Sequence, residues 1–500
     1  MSRTYIFLMA ITVLMSVGLS SGWAAEDGSS PPERDRYLFL DSRILESSEN
    51  AELVLGNVRK SESNPLFEED KPWEQRFDNL YANIIYDEED QIYKCWYSPF
   101  IQDISAKEMT VEQWKETKYR PPHNREMAIC YATSKDGITW DKPELGLVEF
   151  EGSKANNILW RGTGPVDKSK EGLWSGPHGT GVFKDLHETD PNRRYKAILK
   201  YGMLSVAFSA DGIHWGPAIN RPEADSAGDT HNNALWAPTL GKYVGITREW
   251  GVSNDGPNTK YVRQVAWTSS DDFDNWEKVQ IVMQGENPNH QTYAMPVFYY
   301  GGVYLGLVAI HDQETDRVWT ELTWSPDTKN WHHVSPGTPL ISNDGVEGDY
   351  DWGCAYPAAY PVFLEDEIRL YYGGSDGLHT SWRNGYLCMA TLRPDGFAGY
   401  KASDVGKSAT VTTTRVYDGD AQLRVSADIA DGSQLVVRVL DEGEKVIAES
   451  VPLTSTVSDA EVQWLDDSAL DAIGAEPARL QFAFQNATVY SFSMKAIDED

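Results

Sequence analysis

Several short stretches of the chain set acids, histidines and amides directly ahead of apolar runs. "GDTHNNALW" carries Asp229, His231 and Asn233, and "GITREW" adds Arg248 and Glu249 from the strand that should pair with it. "GVEGDYDWGCAY" carries Glu347, Asp349 and Asp351; "RFDNLYANIIYD" offers Asp78 with Asn79 and Asn83; "SGPHGTGVFKD" offers His178; "NPNHQTYAM" offers His290, Gln291 and Tyr293. Such residues move protons. Crowded carboxylates raise the pKa of at least one of their number, which suits a general acid near neutral pH. Asp229 is the first candidate, set against an ordinary turn-capping role. Glu347 and Asp351 come next, set against a solvated acidic loop, and Asp78 follows them. His178, His231 and His290 could ligate hydroxyl groups, act as acid or base, or hold a divalent metal ion. Arg248 could grip a carboxylate or sulfate with two parallel N–H donors, or pair with a neighbouring Asp.

These stretches lie far apart, so the elements that carry them must bring them together. A turn, Ser-x-Asp-x-x-x-Trp, supplies the clue. It occurs four times, in "TSKDGITW", "FSADGIHW", "SSDDFDNW" and "WSPDTKNW", ending at Trp140, Trp215, Trp276 and Trp331. Each copy ends an apolar, aromatic run that reads as a β-strand. The Ser and Asp close the turn on local amides, and Gly137 and Gly212 permit unusual backbone angles. Upstream of each turn stands a hairpin, and a fifth hairpin runs into "YLCMATLRPDGFAGY", where Asp395 and Tyr400 replace the Asp and Trp. A repeat of this length signals a modular architecture. Five antiparallel units closing radially predict a five-bladed β-propeller over 34–403, with "RYLFLDSRIL" helping to close the ring. From 404 to 500 the pattern changes to strict alternation without the turn. Leu435, Val437 and Val439 are expected on one face and Leu480, Phe482 and Phe484 on another, in a separate C-terminal antiparallel β-sandwich. The fold class is all-β.

Composition narrows the function. The chain holds 18 Trp and 25 Tyr, which suits sheets and also suits carbohydrate, because an aromatic face stacks on the apolar face of a sugar ring. Trp174, Trp236 and Trp352 lie near the candidate residues and are set against plain packing roles. A net charge of −32 repels phosphate backbones and anionic lipids, so neither nucleic acid nor membrane is expected as a partner. No protein partner is evident either. Residues 1–25, with Arg3, an apolar run from Tyr5 to Leu19 and small residues up to Ala25, read as a secretory signal peptide, which implies a secreted or periplasmic protein. Cys95, Cys130, Cys354 and Cys388 have no zinc-site spacing, and either two disulfides or free thiols fit the sequence.

The repeated "SxDG…W" strand ends, the hairpin "IRLYYGGSDG" and the sandwich-like tail resemble the five-bladed propeller glycoside hydrolases of families 32, 43, 68 and 130. The chain looks closest to exported bacterial proteins with a family 32-like N-terminal domain. The resemblance implies a glycoside hydrolase that cleaves an oligo- or polysaccharide with a carboxylate pair in the central funnel and requires no cofactor, although a divalent metal there is compatible. It implies acids from the first three blades, and the Asn-Asp-Pro-Asn, Arg-Asp-Pro and Glu-Cys signatures of family 32 are absent. In this setting Asp229, Asp351, Glu347 and Asp78 are the catalytic candidates. His178, His231, Asn233, Arg248, His290, Tyr293, Trp236 and Trp352 are the substrate-binding ones. A non-catalytic carbohydrate-binding propeller is the alternative. The turn also resembles the sialidase Asp-box, but its spacing differs and no arginine triad is identifiable.

Overall fold

The computed structural model describes residues 36–103, 125–162, 174–226, 228–253, 260–417, 419, 421–473 and 477–496, so the expected signal peptide lies outside the described residues. All of them fall in one compact unit. The chain is all-β, and its helical content among the described residues is four short 3-10 segments.

Mainly antiparallel units follow one another along the chain: the first belongs to a seven-stranded sheet, the second and third are four-stranded, and the fourth and fifth are joined in one eleven-stranded sheet. The first runs through Asn83–Asp87, Ile92–Tyr97, Arg125–Ser134 and Trp140–Asp141, and the second through His178–Lys184, Tyr195–Tyr201, Met203–Ser209 and Ile219–Asn220. The third comprises Asn233–Ala237, Lys242–Ser253, Lys260–Ser270 and Gln280–Gln284. The fourth comprises His290–Ala294 with Val297–Tyr300, then Val303–Asp312, Val318–Ser325 and His332–His333. The fifth takes Cys354–Pro357, Ile368–Ser375 and Gly385–Leu392 from late in the chain. Its outer edge comes from Arg59–Lys60 and Phe67–Glu68, near the beginning.

Neighbouring units are stitched through their first strands. Asn83 accepts from Val182 N at 3.0 Å and donates to Thr180 O at 2.8 Å, joining the first unit to the second. Asn232 N donates to Gly179 O at 2.9 Å, and Asn233 accepts from Val297 N at 3.0 Å, which carries the contacts on to the third and fourth units. Val318 lies opposite Cys354, and Ala359 N donates to Ala82 O at 2.9 Å, so the fifth unit returns to the first. Each seam holds its own apolar cluster. Trp96 and Tyr131 meet Val182 and Tyr195; Phe183 and Ile198 meet Phe273 and Trp276; Ile246 and Trp267 meet Val297 and Tyr304; Leu305 and Leu322 meet Leu370 and Tyr372; Tyr371 and Met389 meet Ile84 and Cys95. Removing this surface from water supplies the main drive for packing the units together.

The repeated turn has one geometry in all four copies. Asp136 Oδ1 accepts from Ile138 N and Thr139 N at 2.8 Å, and Ser134 Oγ accepts from Gly137 N at 2.8 Å. The same carboxylate-to-two-amide pattern recurs at Asp211, Asp272 and Asp327. The residue after the Asp is left-handed in each, at φ 73° for Gly137, 76° for Gly212, 65° for Phe273 and 66° for Thr328. Two glycines meet that demand without strain, and a Phe and a Thr accept it. The tip of each turn plugs the preceding seam: Tyr371 Oη donates to Gly137 O at 2.9 Å, Trp96 Nε1 to Gly212 O at 2.7 Å, and Trp267 Nε1 to Thr328 Oγ1 at 2.9 Å. The fifth copy departs. Asp395 accepts from Arg36, Tyr300, Ser426 and Ser491, and so ties the fourth and fifth units to the C-terminal sheet.

That sheet corrects two expectations. "RYLFLDSRIL" pairs with this sheet and not with a repeated unit: Arg36–Leu38 pairs with Ala478–Ala496 and Leu45–Glu49 with Ala409–Tyr417. The reason is aromatic packing, since Tyr37 stacks on Phe492 at 4.7 Å and Phe39 meets Phe482 edge-on at 4.9 Å. The strands that do pair with the fifth unit lie further on, at Arg59–Lys60 and Phe67–Glu68. Leu435, Val437 and Val439 sit directly opposite Phe484, Phe482 and Leu480, so both triplets share one face of a nine-stranded sheet. The four cysteines are buried free thiols.

Candidate functional site

The starts of the first strands bring polar side chains from separate units into one cluster. Asp78, Leu80 and Tyr81 precede the first strand with φ of 55°, 61° and 49°, a run of left-handed residues that only surrounding contacts can hold. Those contacts are strong. Asp78 accepts from Arg76 Nη2 at 2.5 Å and from Arg383 Nη2 at 2.9 Å. Asn79 donates to Tyr81 Oη at 2.8 Å and Tyr293 Oη at 3.0 Å, and accepts from Arg383 at 2.8 Å. The first, fourth and fifth units therefore meet here.

Asp229 forms the second focus. Its Oδ1 lies 3.2 Å from His178 Nε2 and 3.2 Å from Lys200 Nζ, and its Oδ2 lies 2.5 Å from Arg248 Nη2. His178 turns its other ring nitrogen to Met127 Sδ at 2.8 Å. The Asp229 side chain keeps 32% of its surface exposed, so a ligand can reach it. Tyr293 lies under two cations, with the Arg248 and Arg263 guanidinium carbons each 5.2 Å from its ring centroid. Both also flank Trp250, at 5.2 and 4.9 Å.

Electrostatics separate these groups. Burial pushes the Asp78 carboxyl up, but the charges of Arg76, Arg383, Arg125 and His178 outweigh it and hold the group below the usual carboxylate range. Burial likewise opposes ionisation of Asp229, and is overcome by the hydrogen bond and charge of His178, then by Arg248 and Lys200. Both carboxylates are thus kept ionised. Burial drives His231 down to about 3, with the charge of His178 adding to the effect. Burial and the charges of His311, Arg383, Arg263 and Arg76 hold His379 well below its ordinary value. Those two rings are neutral.

The structure brings Asp78, His178, Asp229, Arg248 and Tyr293 together, with His231 against the Tyr81 ring at 5.3 Å and Asn83 Oδ1 at 3.3 Å. It places the other predicted residues elsewhere. Asp351 is buried against Lys60 Nζ at 2.8 Å and Tyr372 Oη at 2.7 Å, where it pins the edge strand Arg59–Lys60. Glu347 is exposed on its loop. Asn233 spends its carbonyl on Val297 N, in the stitching role that Asn83 plays one seam earlier. His290 lies edge-on to Trp319 at 5.3 Å, opposite Asp312. Trp236 stacks on His187 at 3.6 Å within the seam between the second and third units. Trp352 lies under the Arg317 guanidinium at 5.0 Å. The Trp174 backbone pairs with Arg125, and its side chain lies outside the described residues. No group of three or more His, Cys, Asp or Glu among the described residues is arranged to hold a metal ion.

Sequence reasoning missed Arg76, Arg125, Arg263, Arg383 and Trp250. Two were within reach. Two-residue alternation puts Arg248 and Trp250 on one face, and hairpin register sets Trp250 opposite Arg263. Arg383 sits in a loop, and nothing local in the sequence marks it. A surface cavity on the C-terminal sheet, lined by Lys401, Asp428, Thr456 and Asn486 among others, includes none of the residues of this cluster.

No protein-family model matches the chain, and no curated protein matches it. Solved structures do. A glycosyl hydrolase from Bacteroides ovatus is 13% identical with a TM-score of 0.46, covering 68% of this chain and 95% of its own. A GH130 structure, from a family with glycoside hydrolases that target β-1,2-mannosidic linkages in Candida mannan, is 13% identical with a TM-score of 0.44, covering 68% and 95%. An N-acetylgalactosamine deacetylase from F. plautii is 14% identical with a TM-score of 0.44, covering 69% and 96%.

Proposed function

We propose that the chain is an exported glycoside hydrolase, and that its five strand units are the blades of a β-propeller whose central mouth holds the reaction, with the C-terminal sheet as a β-sandwich beside it. The seam-to-seam contacts that return from the fifth unit to the first support the radial arrangement. One observation carries the catalytic reading: Asp78 and Asp229, from different units, both interact with His178, the first by charge and the second by contact at 3.2 Å.

Glycosidic cleavage needs a group that protonates the leaving oxygen and a carboxylate that attacks the anomeric carbon or activates water. Asp78 and Asp229 are both held ionised, so neither is the proton donor. Asp229, the more open to solvent, is the nucleophile or base. Asp78, locked between two arginines, shapes the field at the site. His178, 3.2 Å from Asp229, orients that carboxylate. No cofactor enters this scheme. The test is release of reducing ends from a broad oligosaccharide panel by the mature protein and by Asp229→Asn. Turnover lost with binding kept supports the reading, and no turnover by the wild-type protein on any glycan that it binds overturns it.

A second reading, a non-catalytic carbohydrate-binding propeller, is favoured by a specific feature: neither carboxyl of this cluster is raised into the range of a general acid. The same panel separates the two, because a binder retains affinity for sugars and never releases product.

A further inference from the structure

A chain of net charge −32 gathers guanidinium groups at the very place where its first strands converge. Arg248 is only 5% exposed, and beyond its contact with Asp229 its Nε and Nη1 donors have no hydrogen-bond partner among the described residues. Leaving buried charged donors unmet is costly unless a ligand fills the place. Arg263 lies diagonally across the hairpin from it, opposite Trp250. Its Nη1 donates to Gln291 Oε1 at 2.8 Å, and no carboxylate among the described residues forms an ion pair with it. Burial lowers the Arg263 pKa, and Arg248 adds to that effect. Two like charges held this close to one Tyr293 ring repel each other, and a bound anion relieves the repulsion.

The surroundings say what carries the anion. Trp250 is 47% exposed although it lies within 5.2 Å of both guanidinium carbons. It shares a strand face with Arg248 and lies opposite Arg263. Tyr261, 74% exposed, continues the same face toward solvent. An open indole face suits the apolar face of a pyranose, and a guanidinium fork suits a carboxylate or sulfate.

We infer that Arg248 and Arg263, with Trp250 as a stacking platform, bind a sugar residue that carries an oxyanion, so that the substrate is an acidic glycan. The inference rests on the carbohydrate reading above. The oxyanion is a uronate carboxylate or a sulfate ester, and matched probes distinguish the two.

Affinity of the mature protein is measured for uronate-containing oligosaccharides, for the same compounds with their carboxyl groups reduced, for sulfated oligosaccharides, and for their desulfated forms. The expected result is a preference of about tenfold or more for one acidic member over its neutral partner. That preference weakens as salt rises and disappears in Arg263→Gln, while affinity for the neutral partner stays. Equal affinity for acidic and neutral partners overturns the inference and leaves the carbohydrate reading standing. Failure to bind any sugar overturns both. Retention of the preference in a folded Arg263→Gln, or equal loss of both affinities, overturns the assignment to Arg263. The wild-type preference needs no variant to fold. Trp250→Ala provides the second check: it should weaken acidic and neutral partners together, and unchanged affinity for both overturns the platform.

Discussion

Asp229 and Asp351 begin from the same sequence setting, an acid shortly before an apolar strand of a repeated unit, and they end in opposite roles. Asp229 lies at the cluster centre, shared by His178, Lys200 and Arg248, with a third of its surface open. Asp351 lies within the fifth unit with 3% of its side chain exposed, and Lys60 and Tyr372 both bind its Oδ2. The lesson is that counting acids does not locate chemistry. A carboxylate shut inside a unit holds the fold; one that keeps a third of its surface open among cations can still meet a ligand.

The largest effects test that contrast directly. Asp229→Asn is expected to lower kcat on a turned-over glycan by about 10³-fold, measured by product release, without unfolding the protein. Asp351→Asn is expected to do the reverse. Loss of a charge-assisted pair at a mostly buried site costs about 2–3 kcal/mol of stability in chemical denaturation, while the protein that remains folded keeps its turnover. If Asp351→Asn, fully folded, loses as much activity as Asp229→Asn, the division between the two regions is wrong.

The seam offers a sharper version through Glu69. Its carboxylate accepts from Phe77 N at 2.9 Å and Gly385 N at 3.0 Å, and burial pushes its pKa up to about 7 despite those bonds. A carboxyl raised in the folded state favours the protonated fold. Stability therefore falls as pH rises from about 4.5, the unfolded value, through about 7. Glu69→Gln keeps an acceptor without the charge. Its stability relative to the wild-type protein should grow by about 1–3 kcal/mol between pH 5 and pH 8, read from thermal melts at each pH. A constant difference across that range refutes the assignment.

How much of this was legible in sequence follows from how local each signal is. The repeated turn was readable because Ser134, Asp136 and Gly137 make nearly all their bonds within a few residues. The cluster was only half readable. Asp78, His178 and Asp229 announce themselves by polarity at strand starts, but what activates them comes from elsewhere: Arg383 reaches Asp78 from 305 residues away. The misassigned segment "RYLFLDSRIL" fails for the same reason. Its alternation fits a ring edge as well as a sheet edge, and only the pairing of Tyr37 with Phe492 decides between them. Trp236 and Trp352 show the limit for aromatics, since a ring that stacks on His187 or under Arg317 has the same local sequence pattern as one that stacks on sugar.

The smallest effect expected belongs to the rim. Asp136 has its pKa lowered to about 2, first by the amides of Thr139 and Ile138 and then by Ser134, with burial opposing. A lowered carboxyl contributes stability that is complete above its unfolded value of about 4 and disappears as pH falls through about 2. The group is close to solvent, so screening keeps the contribution small. Asp136→Ala should cost about 1 kcal/mol at pH 7, and the gap from the wild-type protein should close as the pH is lowered from about 4 to about 2. Because the turn's bonds are local, the same substitution should leave sugar affinity unchanged, and a fall in affinity would mean that rim and centre are coupled through the seam at Tyr371.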